Sequence, residues 1–318
     1  MKTAGELTKP IYKTTNGRSI KCELYHDSFQ NFKKYNVPKA QLVIADVPYN
    51  VGNNMYGSSP VWYNGGDNKN GESKKAGKAA FYSDFNFNLY EYFHFCNRML
   101  KKDDTKKLPR GRSSDSPCMI VFCAFEQIPT LQAAAAKHGF VNSIPLVFIK
   151  HYSSQVLKAN MRVVGATEYA LLFYRDRLPK FRNGAEYDEY GKPIRGTGKM
   201  VFNWFEWERD PKSIPKIHPT QKPQSVLRKL IETFTDPGDV VIDPVAGSGS
   251  TLRAAYNLGR NSYGFECYWD FYKKAKEQML VNDDTYDISG LIDLERTYQM
   301  MNLDSGRVHR RDGKEKEE

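Results

Sequence analysis

Long apolar runs are missing from the 318 residues, and no stretch approaches the ~18–20 apolar residues that a membrane-spanning helix needs. The first eleven residues are polar and lack the apolar centre of a secretion signal. Cysteine is scarce: Cys22, Cys96, Cys118, Cys123 and Cys267 include no Cys-x-x-Cys pair, and the six histidines share no metal spacing with them. A zinc-ribbon or disulfide-framework class is thereby excluded, and a reduced, metal-free chain of the cytoplasm is expected, with no membrane partner. Compositional extremes are absent as well. At 40% apolar and 26% charged, the chain has enough to bury for one large or two modest domains.

What is present in excess is positive charge, with 47 Lys and Arg against 37 Asp and Glu, a net charge of +10. Residues 150–222 carry 14 Lys and Arg and 8 Asp and Glu, so +6 of that excess lies in one quarter of the chain. Tyr152, Tyr169, Tyr174, Phe181, Phe202, Trp204 and Trp207 are interleaved with these charges. Basic and aromatic residues in alternation suit a surface that neutralises phosphates and stacks on bases, although a basic solvated face has the same composition.

Short apolar runs at 41–45, 119–124, 145–149, 169–174, 240–242 and 263–265 predict buried strands. Leu89, Tyr92, Phe93, Cys96, Met99 and Leu100 repeat with helical spacing, as do Val226, Leu227, Leu230, Ile231 and Phe234. For the second of these helices Thr220 is a candidate cap and Pro237-Gly238 a stop. Strands alternating with helices predict an α/β fold with a mostly parallel, doubly wound sheet. A polar loop at 50–83, containing Tyr56, Trp62 and Tyr63 among glycines and lysines, is either a lid or a tolerated insertion. The last segment, 286–318, reads as a helix followed by a charged tail.

Val240-Val241-Ile242-Asp243-Pro244-Val245-Ala246-Gly247-Ser248-Gly249-Ser250-Thr251 is an apolar strand, an acid, a glycine turn and a helix start, with Ser250 or Thr251 available as a cap. A second strand ends in Glu266, placed to accept from ribose hydroxyls. A dinucleotide site is disfavoured on two grounds. The third small residue of Gly-x-Gly-x-x-Gly falls on Leu252, and Asp243 would repel a pyrophosphate. The same carboxylate would attract an ammonium or sulfonium group. Adenosine with a cationic tail points to S-adenosylmethionine.

The run 41–45 leads into Asp46-Val47-Pro48-Tyr49. An acid and a proline after a strand commonly make only a turn. Chemically, the carboxylate of Asp46 and a rigidly aimed carbonyl near Val47 and Pro48 can bind both protons of an exocyclic base amine. Tyr49 offers a stacking face to an extruded base.

Asp46-Val47-Pro48-Tyr49-Asn50 resembles the Asp-Pro-Pro-Tyr motif of the DNA amino-methyltransferases, and Asp243 to Thr251 resembles their cofactor motif. His218-Pro219-Thr220-Gln221-Lys222-Pro223 is similar to the segment that leads into the cofactor motif in that family. The order, with the catalytic motif first, is that of the permuted β class.

The resemblance implies a Rossmann-like methyltransferase fold with an inserted target-recognition region. It implies transfer of a methyl group from S-adenosylmethionine to N6 of a flipped adenine in DNA, with N4 of cytosine as runner-up and a non-catalytic DNA-binding protein as a further alternative. Asp46, Pro48 and Tyr49 are the catalytic set it implies. Asp27, Asp46, Thr220, Lys222, Asp243, Pro244, Ala246, Gly247, Gly249, Ser250 and Glu266 are its cofactor set, with Asp27 on the adenine amine or simply in a turn. The expected organisation is a catalytic half at 1–150, a target-recognition insertion at 151–215, a cofactor half at 216–285 and the tail at 286–318. DNA is the implied partner, and a homodimer stays open. Val47 and Val245 depart from the family's usual Pro and Phe, which loosens rigidity at one motif and removes apolar wall at the other.

Overall fold

The computed structural model describes residues 9–15, 17–48, 87–105, 115–151, 155–158, 163–186, 188–189, 194–218 and 220–281, with backbone alone at 155–158 and 163–164. Tyr49, Pro219, the loop 50–83 and the segment 286–318 lie outside the described residues. The described strands and helices belong to one compact unit, Met1–Val281.

In chain order, the first half contains β1 (Ile11–Thr15), β2 (Arg18–Tyr25), β3 (Leu42–Asp46), α1 (Leu89–Met99), β4 (Cys118–Cys123), α2 (Ile128–Ala136) and β5 (Asn142–Lys150). Then come β6 (Gln155–Lys158), β7 (Val163–Gly165), β8 (Thr167–Tyr174) and β9 (Trp204–Trp207). The chain continues through α3 (Gln224–Phe234), β10 (Val240–Asp243), α4 (Ser250–Asn257), β11 (Asn261–Phe265) and α5 (Trp269–Lys274).

Nine strands form one sheet in the order β1-β2-β11-β10-β3-β4-β8-β5-β9, and β6 and β7 form a separate ribbon. From β2 to β4 every neighbouring pair is parallel; β1 and β8 run against the rest. The doubly wound expectation holds. β8 and β9 fall within 151–215 and are nevertheless strands of this central sheet, held there by pairing with β4 and β5.

Why β3 and β4 read as unbroken apolar runs follows from their position. Val43 and Ala45 face a core with Tyr92, Phe93, Cys96 and Met99 of α1, while Leu42 and Ile44 face Val226, Leu227, Leu230, Ile231 and Phe234 of α3. A strand covered on both faces needs apolar side chains at every position. Each fully buried side chain of this kind contributes roughly 1.5–3 kcal/mol relative to exposure.

Two capping expectations are corrected. The N-cap of α3 is Pro223, not Thr220, and α4 is preceded by Gly249 at φ 76°, with no side-chain cap from Ser250 or Thr251. Leu252, where a dinucleotide fold would want a small residue, fits because its neighbour on β11 is Gly264. A Cβ there would lie 2.8 Å from Leu252 Cδ1. The small residue is supplied by the strand instead of the helix.

The end of the sheet remote from Asp46 is fastened by charge. The ammonium of Lys180, buried, lies 2.8 Å from Asp236 and 2.7 Å from Asp239. Arg182 binds Asp236, and Lys101 binds Asp239. Both carboxyls are held below the ordinary aspartate range against the effect of burial, Asp236 first by the Arg182 hydrogen bond, and Asp239 by the Asp236 N–H at 2.9 Å and then by Lys180 and Lys101. Lys180→Met leaves two carboxylates without their shared cation and is expected to cost about 2–3 kcal/mol in urea unfolding, less than a fully buried pair because Asp236 is part exposed. The stabilisation these depressed aspartates provide is present above their ordinary pKa of about 4 and is lost as pH falls below it. An unchanged urea midpoint would make the cluster ornamental.

Candidate active site

β10 continues through α4 to β11 on one side of the sheet, and β3 continues through α1 to β4 on the other. Chain direction therefore diverges between β10 and β3, and a crevice opens outside their carboxyl ends, the place where open α/β sheets bind ligands. The last residue of β3 is Asp46 and the last residue of β10 is Asp243. Two carboxylates that are 197 positions apart in sequence number (243 − 46) are thus brought to one rim by the parallel pairing of Val241 with Leu42 and Ile242 with Val43.

On the β10 side, Asp243 is buried and accepts from the Val245 N–H at 3.1 Å. Burial pushes its carboxyl up to about 7, against the opposing hydrogen bonds from Thr251 and Val245. Gly247 and Gly249 take positive φ, 51° and 76°, which lets the chain turn from Pro244 and Ala246 into α4. The Gly247 N–H donates to Glu266 Oε2 at 2.8 Å, and the Tyr268 N–H donates to Oε1 at 2.7 Å. Glu266 is also pushed up to about 7, first by burial and further by nearby Asp243. Two buried acids poised near neutrality fit a cationic ligand, which would draw both into the charged form. An anionic pyrophosphate would do the reverse.

Asp27 follows β2, next to the end of β11. It accepts from the Ser28 N–H at 2.8 Å, from Asn31 at 2.7 Å and from the Tyr35 hydroxyl at 2.9 Å. These bonds organise its own turn. Tyr25 and Tyr35 pack beside it, ring centroids 4.2 Å apart.

On the β3 side, Lys222 Nζ lies 2.5 Å from Asp46 Oδ2, and the Thr220 hydroxyl lies 3.5 Å from the same oxygen. Both residues were expected in the cofactor set with Asp46, and the structure brings all three together. His218, in the same segment, is pushed down to about 4 by burial and by Lys222, so it is neutral at pH 7. Gln221 instead closes its own loop, bonding the Ile217 N–H and the Pro215 carbonyl.

Several further residues went unnoticed in the sequence. Gln127 donates to the Pro48 carbonyl at 2.8 Å while its own oxygen accepts from the Ala124 N–H at 3.0 Å, which pins the turn after β3 to the end of β4. Glu168 lies 3.4 Å from Lys222 and pairs also with Lys150. Phe125 is 64% exposed and packs on Tyr169 at 5.5 Å, immediately beyond β4. The Gln127–Pro48, Glu168–Lys222 and Phe125–Tyr169 pairings have no local signature, since each joins segments far apart in the chain. Among the described residues, no group of three or more His, Cys, Asp and Glu side chains could hold a metal ion.

Residues 40–277 match the family model described as DNA methylase, of N6 and N4 type. The chain belongs to the N6/N4 DNA methylase family. Members of this methylase family take their methyl group from S-adenosylmethionine and act on DNA.

The DNA adenine methyltransferase YhdJ of Escherichia coli (strain K12) is 25% identical over 278 residues, covering 84% of this chain and 85% of YhdJ. The putative methylase YubD of the same organism is 31% identical over 204 residues, 60% of this chain and 74% of YubD. Two solved structures share the methylase fold. M1.HpyAVI superposes with a TM-score of 0.50 at 21% identity, over 81% of this chain and 98% of its own. The cytosine-N4-specific PvuII DNA methyltransferase gives 0.52 at 14% identity, over 86% and 91%. No helix among the described residues is long and apolar enough to cross a membrane.

Proposed function

We propose that this methylase transfers the methyl group to the exocyclic N6 amine of an adenine extruded from DNA. The observation that carries the reading is the Asp46 carboxylate at the sheet's switch point, paired with Lys222 and facing the rim that also holds Asp243. The acid form of the motif and the naming of YhdJ as an adenine methyltransferase favour adenine over cytosine.

An aromatic amine is a poor nucleophile because its lone pair is delocalised into the ring. Asp46 accepts one amine proton. With the Pro48 carbonyl engaged by Gln127, the Val47 carbonyl is assigned the other. Both bonds favour lone-pair density on nitrogen, aimed out of the ring plane. Tyr49, next in sequence, is given the role of stacking on the extruded ring. S-adenosylmethionine, when bound, supplies a methyl group on an electron-poor sulfur. Asp243 and Glu266 hold its cationic tail and ribose, and Gly247 and Gly249 let the main chain come close. Positioning dominates, since no strong base is needed before attack.

Target recognition is given to the basic stretch within 150–222. Lys180, Arg182 and Lys222 are paired with carboxylates outside this stretch, which leaves at most three of its six excess charges (6 − 3), so DNA affinity is expected to fall with salt by a log–log slope of about −3 if roughly three phosphates are neutralised. A flat plot would make those charges a solvated face. Base and sequence context together are tested by modification-sensitive sequencing of DNA from cells expressing the chain. Methylated adenine in a recurring short motif supports the reading, and methylation confined to cytosine overturns it.

A further inference from the structure

We propose that Lys222 is a positioning residue for Asp46, and that Glu168 and Lys150 extend it into a line of alternating charge tying the catalytic carboxylate to β8 and β5. The inference rests on the reading that Asp46 binds the target amine.

Lys222 is 5% exposed, and an ammonium so far from water needs compensation. It has two carboxylates, Asp46 at 2.5 Å and Glu168 at 3.4 Å. Glu168 in turn pairs with Lys150. The line Asp46, Lys222, Glu168, Lys150 alternates in sign and sums to zero. It draws on β3, the segment ahead of α3, β8 and β5. Aromatic rings wall it in: Phe122 lies 5.1 Å and Trp207 5.7 Å from the Lys222 ammonium, and Trp207 also lies 4.8 Å from that of Lys150. Those rings, like Glu168, belong to β4, β8 and β9, on the other side of β3 from the Gly247–Gly249 turn. An ammonium already shared by two carboxylates on that side is poorly placed to serve a cofactor carboxylate.

Its effect on Asp46 is geometric and electrostatic. Lys222 bonds Oδ2, which fixes the plane of the carboxylate and so the direction in which its other oxygen faces; the Thr220 hydroxyl, 3.5 Å from Oδ2, lies nearer to His218 Nδ1 at 3.0 Å. The adjacent cation keeps the group charged, the form that accepts an amine proton. Other titratable groups face the pair. Cys123 on β4 is pushed up to about 12, first by burial, and stays a thiol. His218 is neutral above about pH 5. Asp243 on β10 titrates near 7, so turnover has to be read with cofactor saturating.

The two ends of the line give opposite signs. Lys222→Met removes a positive neighbour and makes Asp46 easier to protonate; Glu168→Gln removes a negative one and makes it harder. Turnover of the full chain on DNA at saturating S-adenosylmethionine, scanned from about pH 3.5 to 9 so that a carboxylate limb near its ordinary range falls inside it, reads both, with calorimetric cofactor affinity beside it. For Lys222→Met the acid limb of kcat should move up by about one pH unit or more, kcat at neutral pH should fall about 100-fold, and cofactor affinity should stay within about threefold. For Glu168→Gln the limb should move the other way, and Lys222→Arg should restore the wild-type limb even where kcat is reduced. Should Lys222→Met not fold, the Glu168→Gln and Lys222→Arg profiles decide alone. Limbs unmoved in every folded variant, or a collapse of cofactor affinity with an unmoved limb, would overturn the assignment. A wild-type chain that methylates neither base sinks the function proposal and this one with it, whereas an active wild type with unmoved limbs sinks only this one.

Discussion

Asp46→Ala is expected to lower methyl transfer by on the order of 10³-fold or more while leaving S-adenosylmethionine affinity near that of the wild type. The carboxylate sits at the end of β3, on the opposite side of the switch point from the glycine turn, and the proposed function gives it the target amine. Its removal also takes one of two carboxylates from the buried Lys222 ammonium, so a stability loss of about 2 kcal/mol is expected alongside. Asp46→Asn separates the two effects. It keeps the shape and one acceptor, but a carboxamide neither pairs with the Lys222 ammonium nor accepts as strongly from the amine, so turnover stays poor in a better-folded protein. Turnover and calorimetric affinity measured side by side decide it. Turnover near wild type in either variant would remove Asp46 from the chemistry.

Cofactor binding is expected to strengthen as pH rises from 6 to 8. In the free chain Asp243 and Glu266 titrate at about 7, and a cation with ribose hydroxyls favours the ionised form of each. A group at 7 in the free chain and well below 6 in the complex changes affinity by (1 + 10)/(1 + 0.1), about tenfold, over that interval. Two such groups give up to about 100-fold. The sign for stability is opposite. These raised carboxyls stabilise the free chain below their ordinary range near 4, and that contribution is lost as pH rises through about 7. Asp243→Asn should weaken binding and remove about half of the logarithmic pH dependence. Titrations at pH 6 and 8 in buffers of different ionisation enthalpy would also register the released protons. An affinity independent of pH, with no proton release, would mean that the two acids do not face the cation.

The parts of the site that were legible in the sequence are those written locally. β3 and β10 announce themselves because a strand buried on both faces is continuously apolar, and each ends in the one charged residue the crevice requires. The face of α3 is equally plain, since Val226, Leu230 and Ile231 repeat with helical spacing. What escaped depends on pairing at a distance. β8 is inserted antiparallel between β4 and β5, and only that arrangement brings Glu168 to Lys222, 54 positions away (222 − 168). Gln127 meets Pro48 across 79 positions because β3 and β4 pair in parallel and end side by side. Thr220 looked like a cap because hydroxyls commonly are caps; the proline at 223 takes that place, and the hydroxyl lies 3.0 Å from His218 Nδ1 and 3.5 Å from Asp46.

The central claim, that Asp46 activates an adenine amine, is tested most directly by nucleoside mass spectrometry. DNA incubated with the purified chain and methyl-labelled S-adenosylmethionine should yield labelled N6-methyl-2′-deoxyadenosine after digestion to nucleosides, and the Asp46→Asn chain should yield almost none. Label in N4-methylcytosine alone, in neither base, or equally from both chains would contradict it.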